Sequence, residues 1–87
     1  MEELTIYNAN AFKVRLDGGQ VAYIEDQEHI ALMRIEGVDG CLGGHYYFMG
    51  FSEHQIEFDV WGDSFEFYFG TILAYSHDYG KTWVEVE

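Results

Sequence analysis

Hydrophobic residues recur at every second position through most of this sequence, and short polar or glycine-bearing breaks separate the runs. A period of two belongs to strands with one buried face, whereas an amphipathic helix repeats every three to four residues. Leu4-Thr5-Ile6-Tyr7 reads as an opening strand ended by Asn8-Ala9-Asn10. Phe12, Val14 and Leu16 then alternate with Lys13 and Arg15. Asp17-Gly18-Gly19 leads into Val21-Ala22-Tyr23-Ile24, and glycine takes positive φ without steric cost, so this is a hairpin signal.

Residues 27–36 carry two patterns. Ala31, Leu32, Met33 and Arg34 suit a short helix capped by Asp26 and stopped by Gly37. The alternation of His29, Ala31, Met33 and Ile35 with Ile30, Leu32 and Arg34 suits a strand, and the short gap after Ile24 favours the strand. Gly37, Gly40, Gly43 and Gly44 mark residues 37–44 as a loop. Strand-like segments follow at residues 45–49, 55–61, 64–69, 71–76 and 82–87. The expectation is an all-β fold, a small antiparallel meander of about eight strands closed as a barrel or packed as a sandwich. No linker or repeat divides residues 1–87, so they form a single domain. Seven Phe, seven Tyr and two Trp supply its core, since each ring buries roughly 150–250 Å².

The charge narrows the function. Four Lys and Arg stand against sixteen Asp and Glu, a formal net charge of -12. The acids are spread along the chain rather than gathered in a tail. Too few cations remain to displace the counterions of a nucleic acid or to meet an anionic membrane, so neither is an expected partner. A basic protein, such as a nuclease or another nucleic-acid-binding protein, is the favoured one. Met1-Glu2-Glu3-Leu4 has neither a basic region nor an apolar run, so no signal peptide is expected. Cys41 has no second cysteine to pair with, which suits a reducing, cytoplasmic setting.

Ser76-His77-Asp78-Tyr79-Gly80-Lys81-Thr82-Trp83 resembles the Asp-box, or BNR repeat, S-x-D-x-G-x-T-W, at every specified position. The resemblance covers this hairpin alone. In sialidases and related glycosidases the motif recurs on propeller blades and is structural, away from the catalytic site. A propeller takes at least four blades of about 40–45 residues, so 87 residues do not make one. The resemblance therefore implies a turn held by Ser76, Asp78, Gly80, Thr82 and Trp83, without sialidase activity. A carboxylate can accept backbone N–H groups within such a turn, and Gly80 can supply positive φ.

The stretch 55–69 is the candidate recognition hairpin. With Gly62-Asp63 as a two-residue loop, Trp61 faces Ser64, Val60 faces Phe65, Asp59 faces Glu66, Phe58 faces Phe67, Glu57 faces Tyr68 and Ile56 faces Phe69. Ile56, Phe58, Val60, Phe65, Phe67 and Phe69 then form an apolar core face. Glu57, Asp59, Trp61, Glu66 and Tyr68 form the other face, where Asp59 and Glu66 are like charges directly opposed. A solvated face explains such acids. So does a recognition surface, with carboxylates accepting Arg and Lys while Trp61 and Tyr68 anchor the contact.

Catalytic patterns are absent from the sequence. The four histidines are scattered, no zinc spacing occurs, and no metal or cofactor is expected. Cys41 and His45 lie close in sequence, but surrounding negative charge disfavours a thiolate. The expected function is non-enzymatic: an acidic protein that binds and blocks a basic partner. In size and charge the chain resembles phage anti-defence proteins, including anti-CRISPR and DNA-mimic inhibitors, although no signature of any such family is present. Alternatives are an immunity protein against a basic nuclease toxin and a carbohydrate-binding or glycosidase-accessory module.

Overall fold

The computed structural model describes residues 4–50, 52–62 and 66–86. Seven antiparallel strands follow one another as neighbours: β1 (Ala11–Leu16), β2 (Val21–Asp26), β3 (Ala31–Ile35), β4 (Leu42–Phe48), β5 (Gln55–Val60), β6 (Phe67–Ser76) and β7 (Val84–Glu85). β1 also pairs with β6, so the first six strands close into a barrel, and β7 adds to β6 beyond the end of β5. Closure pairs the edges that an open sheet of this composition, without a single proline, would leave exposed. The fold is thus the barrel of the two expected forms, with no helix at residues 27–36, where β3 forms instead. Among the described residues no helix is long and apolar enough to cross a membrane.

Inward residues of each strand build one core. Phe12, Val14, Ala22, Ile24, Met33, Ile56, Phe58 and Ile72 are fully buried. Phe12 meets Tyr46 and Phe48 edge-on, with ring centroids 5.1 and 5.8 Å apart, a geometry that aromatic quadrupoles favour.

Three expected elements take another form. Residues 4–7 are not a strand. Ile6–Asn8 is a 3-10 turn in which the Asn8 side chain accepts the Thr5 N–H at 2.8 Å, a local bond that replaces a ladder bond. Ile6 and Ala9 are buried against one end of the barrel. The 37–44 loop ends early, because β4 begins at Leu42 and includes Gly43 and Gly44. Gly44 lies so close to β5 that a Cβ there would collide with the Asp59 carbonyl. The last strand is only Val84–Glu85 rather than 82–87.

The largest correction is the register of β5 and β6. Glu57 faces Phe69, Phe58 faces Tyr68 and Asp59 faces Phe67, one residue away from the pairing a two-residue loop imposes. The Val60 N–H donates to the Glu66 carbonyl at 3.0 Å, leaving residues 61–65 between the last paired positions. The expected loop residue Asp63 and the expected partners Ser64 and Phe65 lie outside the described residues. β6 runs through Gly70 without a break, so the buried Ile72 fixes its parity. Gly70 and Tyr68 point inward, whereas Phe67 and Phe69 point outward. A Cβ at Gly70 would strike Val14 Cγ1, so the inward position has room for glycine alone.

Further along β6, Val14 pairs with Ile72 but Lys13 pairs with Ala74, a one-residue slip at Leu73. Facing residues share a side of the sheet. The slip therefore moves Ala74 and Ser76 to the outer face, beside Lys13 and Ala11. There the segment 76–86 covers them and both are buried.

Candidate functional site

The register of β5 against β4 and β6 assembles an unexpected outer face across the three strands. Pairing places Tyr47, Glu57 and Phe69 side by side in one row and His45, Asp59 and Phe67 in the next. Directly opposed side chains lie about 5 Å apart, so each carboxylate has a ring on either side. Trp61 stands one row further along, its N–H bonded to the Gly43 carbonyl at 2.7 Å, with its ring 6.2 Å from that of His45. The rings are open to solvent: Trp61 is 67%, Tyr47 51%, Phe67 48% and Phe69 38% exposed. The carboxylates between them are half-buried.

Among the described residues, the ion pairs within 4.0 Å are His29–Glu28 and His54–Glu53, and no ion pair or side-chain hydrogen bond reaches the carboxylate of Glu57 or of Asp59. Arg15, opposite Thr71, is the basic residue at the margin of the face and makes no ion pair among the described residues. Two other cations lie across the barrel. Lys13, Tyr23 and Arg34 form one row over β1, β2 and β3, and the Arg34 guanidinium sits 5.4 Å from the Tyr23 centroid. In a closed ring of six strands β2 stands opposite β5, so this cationic row and the acidic-aromatic face look in opposite directions.

Of the five residues expected to share a recognition face, Glu57, Asp59 and Trp61 do so. Glu66 and Tyr68 do not; they belong to the inward parity and stand at a mouth of the barrel. The expected opposition of Asp59 and Glu66 does not occur, because Asp59 faces Phe67. Tyr68 lines a mouth cavity of about 260 Å³ with Met33, Ile35, Val38 and Leu42. Its hydroxyl donates to Glu66 at 3.3 Å, and burial, then the Glu66 charge, push the phenol's pKa upward. His45, Tyr47, Phe67 and Phe69 join the face beyond the five expected residues. The continuity of β6 through Gly70 was the signal that reveals the two phenylalanines.

The Ser76–Trp83 turn is a closed set of hydrogen bonds. The Ser76 hydroxyl donates to Asp78 Oδ1 at 2.6 Å and accepts the N–H groups of Asp78 at 3.2 Å and Gly80 at 2.9 Å. Asp78 also accepts the Thr82 N–H at 2.9 Å and the Thr82 hydroxyl at 2.6 Å. These bonds, Ser76's first and then Thr82's, hold the Asp78 carboxyl well below the ordinary carboxylate range. Gly80 has φ of +89°, and its missing side chain leaves room for Trp83, whose Cζ2 would lie 3.2 Å from a Cβ. Trp83 packs in turn on Tyr23, with centroids 6.1 Å apart. Asn10 bridges the turn to β1, donating to the His77 carbonyl at 3.1 Å and accepting the Tyr79 N–H at 2.9 Å. The polar groups of the motif are thus occupied by one another.

Cys41 is exposed and unbridged. Among the described residues no group of three or more His, Cys, Asp or Glu side chains is placed to hold a metal ion. Compared with family models, curated proteins and solved structures, the chain matches none of them.

Proposed function

We propose that this protein is a non-enzymatic, acidic binding protein that blocks a basic, nucleic-acid-binding partner through the outer face of β4, β5 and β6. One observation carries the reading: Glu57 and Asp59 are half-buried, without a cation among the described residues, and framed by exposed aromatic rings. Carboxylates without an ion-pair partner, set between rings, are open to the charge-assisted hydrogen bonds of an incoming cation. Exposed aromatics supply the apolar contact that dominates interface energies. The net charge of -12 steers a basic partner toward the molecule, and the cationic row on β1–β3 faces away from the docking side. Carboxylates at such a face take the places that phosphates hold on the partner. DNA mimicry of the kind used by some phage anti-defence proteins fits this surface chemistry in a cytoplasmic setting, and an immunity protein against a basic nuclease toxin is the second reading within the same class.

The test begins with capture of proteins from lysate on the immobilised chain, followed by identification and purification of what is retained. Added chain should displace duplex DNA or RNA from the purified partner, and the Glu57→Gln, Asp59→Asn double variant should fail to do so. Affinity should fall steeply toward about 0.5 M salt, where the Debye length shrinks to roughly 4 Å. Retention of proteins whose nucleic-acid binding is unaffected overturns the reading. Salt-independent retention of a glycan would favour the carbohydrate-binding alternative.

A further inference from the structure

The two carboxylates of the β5 face occupy alternate positions of one strand, so their backbones are about 6.5 Å apart. Each lies in a separate row between two rings, Tyr47 and Phe69 for Glu57, His45 and Phe67 for Asp59. A guanidinium suits such a slot on two counts. Its planar edge can donate two parallel hydrogen bonds to a carboxylate, and its weakly hydrated faces stack on aromatic rings. An ammonium is compact and strongly hydrated, and it loses more water than these flat rings return. We infer that this face recognises a protein segment presenting two arginines at alternate positions of an extended chain, Arg-x-Arg, in preference to the lysine equivalent. The inference rests on the binding role proposed above and names what that face reads.

A second copy of the chain is a poorer occupant. Each copy carries a formal charge of -12, and docking one on another would bring these fields together. Lys13 and Arg15 do stand at alternate positions of β1, as the carboxylates do on β5, but only one of the two is an arginine, and Lys13 shares its row with Tyr23 and Arg34.

The test is an amide-detected NMR titration of the intact chain at 50 mM salt. The probes are acetylated, amidated peptides Ser-Arg-Ser-Arg-Ser, Ser-Lys-Ser-Lys-Ser and Arg-Ser-Ser-Ser-Arg. The first should shift resonances of β4, β5 and β6, bind at least threefold tighter than the lysine peptide, and bind tighter than the widely spaced one. Glu57→Gln and Asp59→Asn should each weaken it at least fivefold, while Asp39→Asn, outside the face, should change nothing. Equal affinity for arginine and lysine peptides at this face overturns the inference and leaves the basic-partner reading standing. Absence of shifts at millimolar peptide, or shifts confined to other strands, also overturns it. Sedimentation of the chain alone supplies the last arm: self-association abolished by Asp59→Asn would make a second copy the occupant instead.

Discussion

Removing one hydroxyl should loosen the whole C-terminal turn. Ser76 is fully buried and its Oγ serves three bonds at once, two from the N–H groups of Asp78 and Gly80 and one to the Asp78 carboxylate. Ser76→Ala keeps the packing and strands both N–H groups. Each unsatisfied buried donor costs about 1–3 kcal/mol, and the partial exposure of Asp78 and Gly80 lets water return some of it. A loss of about 2 kcal/mol is therefore expected, which for a domain of this size lowers Tm by roughly 8–16 °C. Circular dichroism melts at pH 7 measure it. The pH dependence adds a second check. Asp78 has a depressed folded pKa, so the stability it lends is complete above its ordinary value of 3.8 and is lost as pH falls through the folded value. Ser76→Ala removes the first cause of that depression, so the gap between wild type and variant should narrow as pH drops below 3.8. A Tm change under about 3 °C, or a gap that stays constant with pH, would refute the account of Ser76 as the hub of the turn.

Three further outcomes follow from the barrel. Gly44→Ala should cost about 1–3 kcal/mol or more in denaturant unfolding, because its Cβ would meet the Asp59 carbonyl and lie 2.9 Å from the Phe58 ring. Phe67→Ser should change stability by less than about 1 kcal/mol, since the ring is 48% exposed; a cost of about 3–5 kcal/mol would restore the register that buries it. Asp26 accepts the Tyr46 hydroxyl at 3.0 Å, and burial raises its pKa against the lowering effect of that bond. A raised carboxyl means the fold loses stability as pH rises from 3.8 through the folded value. Asp26→Asn should therefore be more stable than wild type in melts at pH 7 and show no advantage below pH 3.8.

The strands were legible where polar and apolar residues alternate cleanly, as in Phe12–Leu16, since only one face of such a segment can be buried. β6 offered no such contrast. Phe65, Phe67 and Phe69 are apolar at one parity, and Tyr68, Ile72 and Ala74 at the other, so hydrophobicity alone does not choose its face. A break at Gly70 would free the residues before it from the parity of Ile72, and a two-residue loop then implies a register one residue away from the observed one. The proposed recognition face was half legible for the same reason. Glu57, Asp59 and Trp61 follow from the parity of β5 alone, whereas Tyr47 and His45 arrive through pairing with β4, which runs beyond the short range of turn signals. Gly44 is similar: its meaning is a contact with Asp59, and nothing local in the sequence states it.

Glu57 and Asp59 stand on the middle strand of three, with β4 and β6 hydrogen-bonded along both edges. Their backbone cannot shift without opening the barrel. Complex formation at this face would order side chains only, at about 0.5–1.5 kcal/mol for each rotor-rich group that is immobilised, and aromatic rings with two torsions are among the least expensive. A partner would therefore meet the surface in its bound form. Calorimetry of the complex should show a negative heat-capacity change no larger than the ring burial accounts for, without the excess that accompanies folding on binding.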